Sequence, residues 1–113
     1  MTLITKVFLN ENEKNAILKL KNILLDRYNL LNYRLYGSKA KGIGMPDSDI
    51  DLMIELAEIT PEIEKEIDEI VFEINLEFNC LISVILFGEK EIKRGPLSES
   101  PLYKVIQKEG IRI

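Results

Sequence analysis

The sequence has no histidine, a single cysteine, and no apolar run near the roughly 18 residues that a membrane-spanning helix needs. Without histidine the chain lacks the usual zinc ligand, the usual general base at neutral pH and any serine–histidine triad. Its chemistry is left to carboxylates, metal ions that favour oxygen, backbone amides, lysine and arginine. Cys80 cannot close an internal disulfide and reads as a small buried apolar group suited to a reducing cytoplasm. An excess of positive charge is also missing, since 15 Lys and Arg stand against 19 Asp and Glu for a net charge of −4. Long nucleic acids are held by basic stripes, so nucleic acid is not expected as a direct partner. The opening MTLITKVFLNENEK carries only a short apolar patch before its acidic residues and does not read as a signal peptide. No repeat, low-complexity segment or interdomain linker interrupts the chain.

What is present fits one hydrophobic core. The 113 residues, 46% apolar and 30% charged, predict one domain over residues 1–113 with an ordinary globular balance. After an extended or irregular lead-in over residues 1–10, Asn10 and Glu13 have capping-box spacing. A scaffold helix is expected from there to about Tyr28, burying Ala16, Leu20, Ile23 and Leu24. A turn over residues 29–32 leads to a strand at 33–36. A short helix at 39–41 is stopped by Gly42 and Gly44, and Met45-Pro46-Asp47 forms a loop. A second strand runs from Ser48 to about Leu56, with Ile50, Leu52, Ile54 and Leu56 on one face and Asp49, Asp51, Met53 and Glu55 on the other. Thr60-Pro61 starts a second long helix with Ile63, Ile67, Ile70, Val71, Ile74 and Phe78 as its buried stripe. Its run of Glu62, Glu64, Lys65, Glu66, Asp68 and Glu69 is read as a wet face. The segment CLISVILF, residues 80–87, is almost wholly apolar and predicts a central strand covered on both faces. Residues 88–100 read as a charged loop, residues 101–109 as a last helix ended by Gly110, and residues 111–113 as an apolar tail.

The chain is organised around residues 37–52, GSKAKGIGMPDSDIDL. Side chains two apart on a strand share a face, so Asp49 and Asp51 present adjacent carboxylates. Two such charges repel unless they are protonated or bridged by a cation, and hard carboxylate oxygens suit Mg²⁺ whose other positions are filled by phosphate and water. Gly37 permits close approach of backbone to ligand, and Ser38 offers a hydroxyl and turn amides to a phosphate. Lys39 and Lys41 are expected to add positive charge nearby. Alone, a Gly-Ser turn is usually only a turn, and an Asp-x-Asp is usually a solvated strand face. Together, in a strand–turn–helix–strand setting, they favour a polyphosphate grip facing its metal.

Gly37-Ser38-Lys39-Ala40-Lys41-Gly42 followed by Asp47-Ser48-Asp49-Ile50-Asp51-Leu52 resembles the signature of the DNA polymerase beta-like nucleotidyltransferase superfamily. It is most similar to the minimal nucleotidyltransferase (MNT) branch, small domains commonly encoded beside a HEPN-domain protein. The resemblance implies an α/β (α+β) fold, a small mixed sheet with helices packed mainly on one face. It also implies binding of a Mg²⁺–nucleoside triphosphate such as ATP. Gly37 and Ser38 would then hold the β- and γ-phosphates, and Asp49 and Asp51 would ligate metal. An acceptor hydroxyl would attack the α-phosphorus and release pyrophosphate, with two ions about 3.5–4 Å apart at the reacting oxygens. In MNT–HEPN pairs the implied acceptor is a tyrosine of the HEPN ribonuclease toxin, making this chain the antitoxin of a hetero-oligomeric pair.

One departure qualifies that expectation. Fully active members place a third carboxylate on the strand after the second long helix, and residues 80–87 contain no acid. Ser83 is the position aligned with it, and Asn79 shares its alternation. Activity could survive at a reduced rate, or an acid from elsewhere (Glu55, Glu73 or the partner) could substitute; the competing reading is a binding module that occludes the toxin without turnover. Asn79 capping the helix and Ser83 satisfied within the sheet is the structural alternative. Transfer to a small molecule is disfavoured because there is no room for an acceptor-binding domain. Partner contact is assigned to residues 87–113, with Leu97, Leu102, Tyr103 and Ile111, or else these cover a sheet edge; the acidic helix face is a further candidate for meeting a basic ribonuclease.

Overall fold

A computed structural model of the chain describes residues 9–42, 49–94 and 99–113. Most of the expected lead-in, the Met45-Pro46-Asp47 loop with Gly44, Ser48 and Leu97 lie outside the described residues. The elements are α1 (Glu11–Arg27), β1 (Leu30–Tyr36), α2 (Gly37–Ala40), β2 (Ile50–Leu56), α3 (Pro61–Phe78), β3 (Ile82–Gly88), α4 (Glu89–Arg94), α5 (Pro101–Glu109) and β4 (Ile111–Arg112). They form a mixed sheet in the order β3-β2-β1-β4, with β1 antiparallel to both neighbours and β2 parallel to β3.

Each long helix starts where local chemistry supplies partners for its first amides. The Asn10 side chain accepts from the Glu13 N–H at 2.8 Å, and Glu13 Oε1 accepts from the Asn10 N–H at 3.0 Å, a complete capping box. Thr60 Oγ1 accepts from the Ile63 N–H at 3.1 Å, with Pro61 in the first turn where its missing N–H costs nothing. Parallel strands need a crossover, and α3 provides it between β2 and β3.

The two faces of β2 meet different covers. Ile50, Leu52, Ile54 and Leu56 join Ala16, Ile17, Leu20 and Leu24 of α1 and Ile67, Val71 and Ile74 of α3 in the main core. Met53, on the opposite face, joins Phe87, Ile92 of α4 and Ile106 of α5 in a smaller cluster edged by Tyr36, Ile85 and Tyr103. Both long helices therefore lie on one face, and the other has short helices over part of its area.

Four expectations are corrected. The apolar segment expected in the centre of the sheet forms β3, which is an edge strand with only β2 beside it among the described residues. It is apolar on both faces because helices lie above and below, and a side chain's polarity reports on those faces and not on lateral neighbours. The region read as a charged loop contains α4, anchored by the buried Ile92. The apolar tail pairs with β1 as β4, through Arg34 with Arg112 and Leu35 with Ile111. β1 also begins at Leu30, three residues earlier than expected, because pairing with β2 reaches back to Leu56.

Candidate active site

The site is built where β1 turns and meets β2. Tyr36, the last residue of β1, sits opposite Asp51 in the antiparallel register. Gly37 then reverses the chain at φ +76°, and a Cβ placed there would lie 2.4 Å from Asp51 Oδ2. Only glycine can hold this conformation and leave the carboxylate its place, so the turn rests directly on Asp51. Ser38 follows, half-buried, and the Lys41 N–H closes the turn onto the Gly37 and Ser38 carbonyls at 3.3 and 3.2 Å.

Asp51 is half-buried on the sheet face opposite the main core, and Asp49 is exposed just ahead of β2. Burial pushes the Asp51 carboxyl above the usual carboxylate range, and the nearby negative charge of Asp49 adds to the effect. Burial likewise raises the Tyr36 phenol, helped by the charge of Asp51. The paired acids thus carry an electrostatic load that a hard divalent cation would relieve.

β3 decides between the two positions proposed for a third acid. Ser83 is the register partner of Asp51 across the parallel pair, so the two side chains share a face. Asn79 instead takes a left-handed conformation (φ 51°, ψ 54°) and ends α3, its N–H donating to the Asn75 carbonyl. It has the structural role expected as the alternative. Ser83 is exposed, with no sheet partner burying it. Neither intramolecular substitute reaches the pair. Glu55 shares the face of Asp51 but lies four residues along β2, roughly 13 Å at strand rise. Glu73 is on α3, which covers the other side of the sheet. Among the described residues no group of three or more potential metal ligands occurs.

The expectation for Lys39 is corrected. Its side chain is 1% exposed, with Nζ 3.0 Å from Glu13 Oε2 and 3.4 Å from Oε1. The cation points into the protein against the first turn of α1 and does not add charge to the open side of the turn. Lys41 is half-exposed, its Nζ 3.6 Å from Glu109 of α5.

Sequence reasoning missed Glu13 as a partner of the motif and Asn75 as a brace. The Asn75 side chain accepts from the Ile82 N–H at 2.8 Å and donates to the Ile82 carbonyl at 3.2 Å, fixing the start of β3 one residue from Ser83. The capping-box spacing flagged Glu13, but only as a local device.

A family model described as a nucleotidyltransferase domain matches residues 17–113, taking in the turn, the acidic pair and the four described strands. The chain belongs to the nucleotidyltransferase-domain family. No curated protein matches it significantly. Its four-stranded mixed sheet and helices agree with the polymerase beta-like nucleotidyltransferase fold, and membership supports a nucleotidyltransferase-type function. Glu13, the partner of Lys39 in this nucleotidyltransferase domain, precedes the matched residues.

Proposed function

We propose that this chain is the MNT antitoxin of a HEPN ribonuclease toxin and transfers AMP from Mg²⁺–ATP to a tyrosine hydroxyl of that partner. The observation that carries the reading is the Gly37 turn resting on Asp51, which supports a shared site for the glycine–serine turn and the carboxylates. Gly37 and Ser38 would hold the β- and γ-phosphates, with Lys41 at the rim once it leaves Glu109. Asp49 and Asp51 supply the hard oxygens that fit Mg²⁺, which when bound would neutralise phosphate charge and polarise the α-phosphorus. The tyrosine oxygen forms a bond to the α-phosphorus as the bond between the α- and β-phosphates breaks. Pyrophosphate leaves, and the phenolic proton passes to water or to a base of the partner.

A second reading has its own observation. Ser83 stands beside Asp51 where an acid would complete the cluster, and Glu55 and Glu73 are too far or on the wrong side. This favours a binding module that occludes the toxin without turnover. Tyr103 packs edge-on against Phe87 at 5.1 Å and Ile111 pairs within the sheet. Of the side chains assigned to partner contact, Leu102 is the exposed one among the described residues, and Glu62, Glu64, Glu66, Asp68 and Glu69 on the outer face of α3 are exposed as well.

The test mixes the chain, Mg²⁺, ATP labelled at the α-phosphate and the neighbouring HEPN protein, with Asp49→Asn/Asp51→Asn as control. Label on the partner that disappears in the control is the expected result. A tight complex without label, neutralised equally by the control, selects the binding module.

A further inference from the structure

The Glu13–Lys39 pair is buried at a place where simple packing would use apolar side chains. The side chains are 7% and 1% exposed, and Lys39 is among the largest fully buried residues of the chain. Removing two charges from water costs several kcal/mol per ion, and a buried pair often adds little net stability over a well-packed apolar pair. What such a pair does supply is direction. Its hydrogen bonds are satisfied in only one arrangement of the two elements that carry them.

Those elements are the first turn of α1 and the short α2. Glu13 is fixed first, because Oε1 accepts from the Asn10 N–H within the capping box. The same carboxylate then receives Lys39 Nζ through both oxygens. Lys39 lies one residue beyond Ser38 and two beyond Gly37, the residue in contact with Asp51. α2 has four residues and no side-chain cap, too little to set its own direction. We propose that Glu13 and Lys39 are positioning residues that orient the Gly37-Ser38 turn toward Asp51 and so set the affinity for the triphosphate. This rests on the nucleotidyltransferase reading and adds a residue that lies outside the matched family region.

The test uses the full chain with Lys39→Met, Glu13→Gln, the double variant and Lys39→Arg. The two readouts are Mg²⁺–ATP and AMP affinity by calorimetry, and amide hydrogen exchange at residues 38–41. Folded Lys39→Met, Glu13→Gln and the double variant, which alone removes both charges, should each weaken Mg²⁺–ATP by roughly tenfold or more. AMP affinity should be unchanged, because AMP has no β- or γ-phosphate for the turn to hold. Exchange at residues 38–41 should quicken while α1 and α3 remain protected, and Lys39→Arg should recover most of the loss. Folded variants that bind Mg²⁺–ATP within about twofold of wild type, or lose ATP and AMP equally, would overturn the positioning role. A wild-type chain that binds no Mg²⁺–ATP overturns instead the reading on which it rests.

Discussion

The two faces of β2 are written in alternate residues of the same seven-residue strand, yet they obey different rules. On one, Ile50, Leu52, Ile54 and Leu56 are sealed beneath α1 and α3. On the other, Met53 is equally buried beneath α4 and α5, but Asp51 lies at the end those helices do not seal. The sealed face pays in side-chain volume for stability; the open face keeps a half-desolvated carboxylate next to another carboxylate, which costs stability and offers a binding site. Neighbouring residues should therefore respond to mutation in opposite ways.

The largest stability effect is expected from Leu52→Ala, which opens a cavity in the main core and should cost about 2–5 kcal/mol in chemical denaturation. Ile106→Ala tests the smaller cluster. It should cost about 2 kcal/mol, because a smaller cluster covered only by short helices can relax more readily. A loss as large as that of Leu52→Ala would break the distinction between the two faces. Asn10→Ala should cost about 1 kcal/mol through the lost cap.

Asp51→Asn should move the other way in metal-free protein. Its folded carboxyl is raised, so the native state binds that proton more tightly than the unfolded chain does. The stability linked to it is fully present below the unfolded value and is lost as pH rises through the folded one. At neutral pH the charged, half-buried Asp51 is then a burden, and the asparagine variant should melt higher in scanning calorimetry. That advantage should shrink as the pH is lowered into the acid range. A variant that melts lower at neutral pH would show that Asp51 is held by interactions favouring its charge. Smallest of all is Glu77→Gln, which loses a 2.6 Å ion pair with Lys19 between half-exposed side chains and should cost at most about 0.5 kcal/mol.

The legible parts of the fold were those written in local spacing. The capping box at Asn10, the Thr60-Pro61 start, the alternation of β2 and the helix over Pro101–Glu109 all rest on residues within a few positions of one another. The turn and acidic pair were legible for the same reason, and their contact through Gly37 follows from the Tyr36–Asp51 register. What escaped depends on distance along the chain. Lys39 looked like a surface cation because its partner lies at Glu13, and no local pattern shows that one long side chain will turn inward. The edge place of β3 was hidden because helices on both faces make an edge strand as apolar as a central one. α4 was missed because a six-residue helix leaves almost no period to detect.

One consequence follows from the pairing of β4 with β1. β1 meets β2 soon after it in the chain, but its other edge is closed by Ile111 and Arg112, from the far end of the sequence. The hairpin that forms the turn and acidic pair can assemble while the chain is still being synthesised. Its outer edge stays open as a strand template until Ile111 and Arg112 emerge and dock. A chain cut before residue 111 would keep this edge of β1 open and able to pair with a foreign strand.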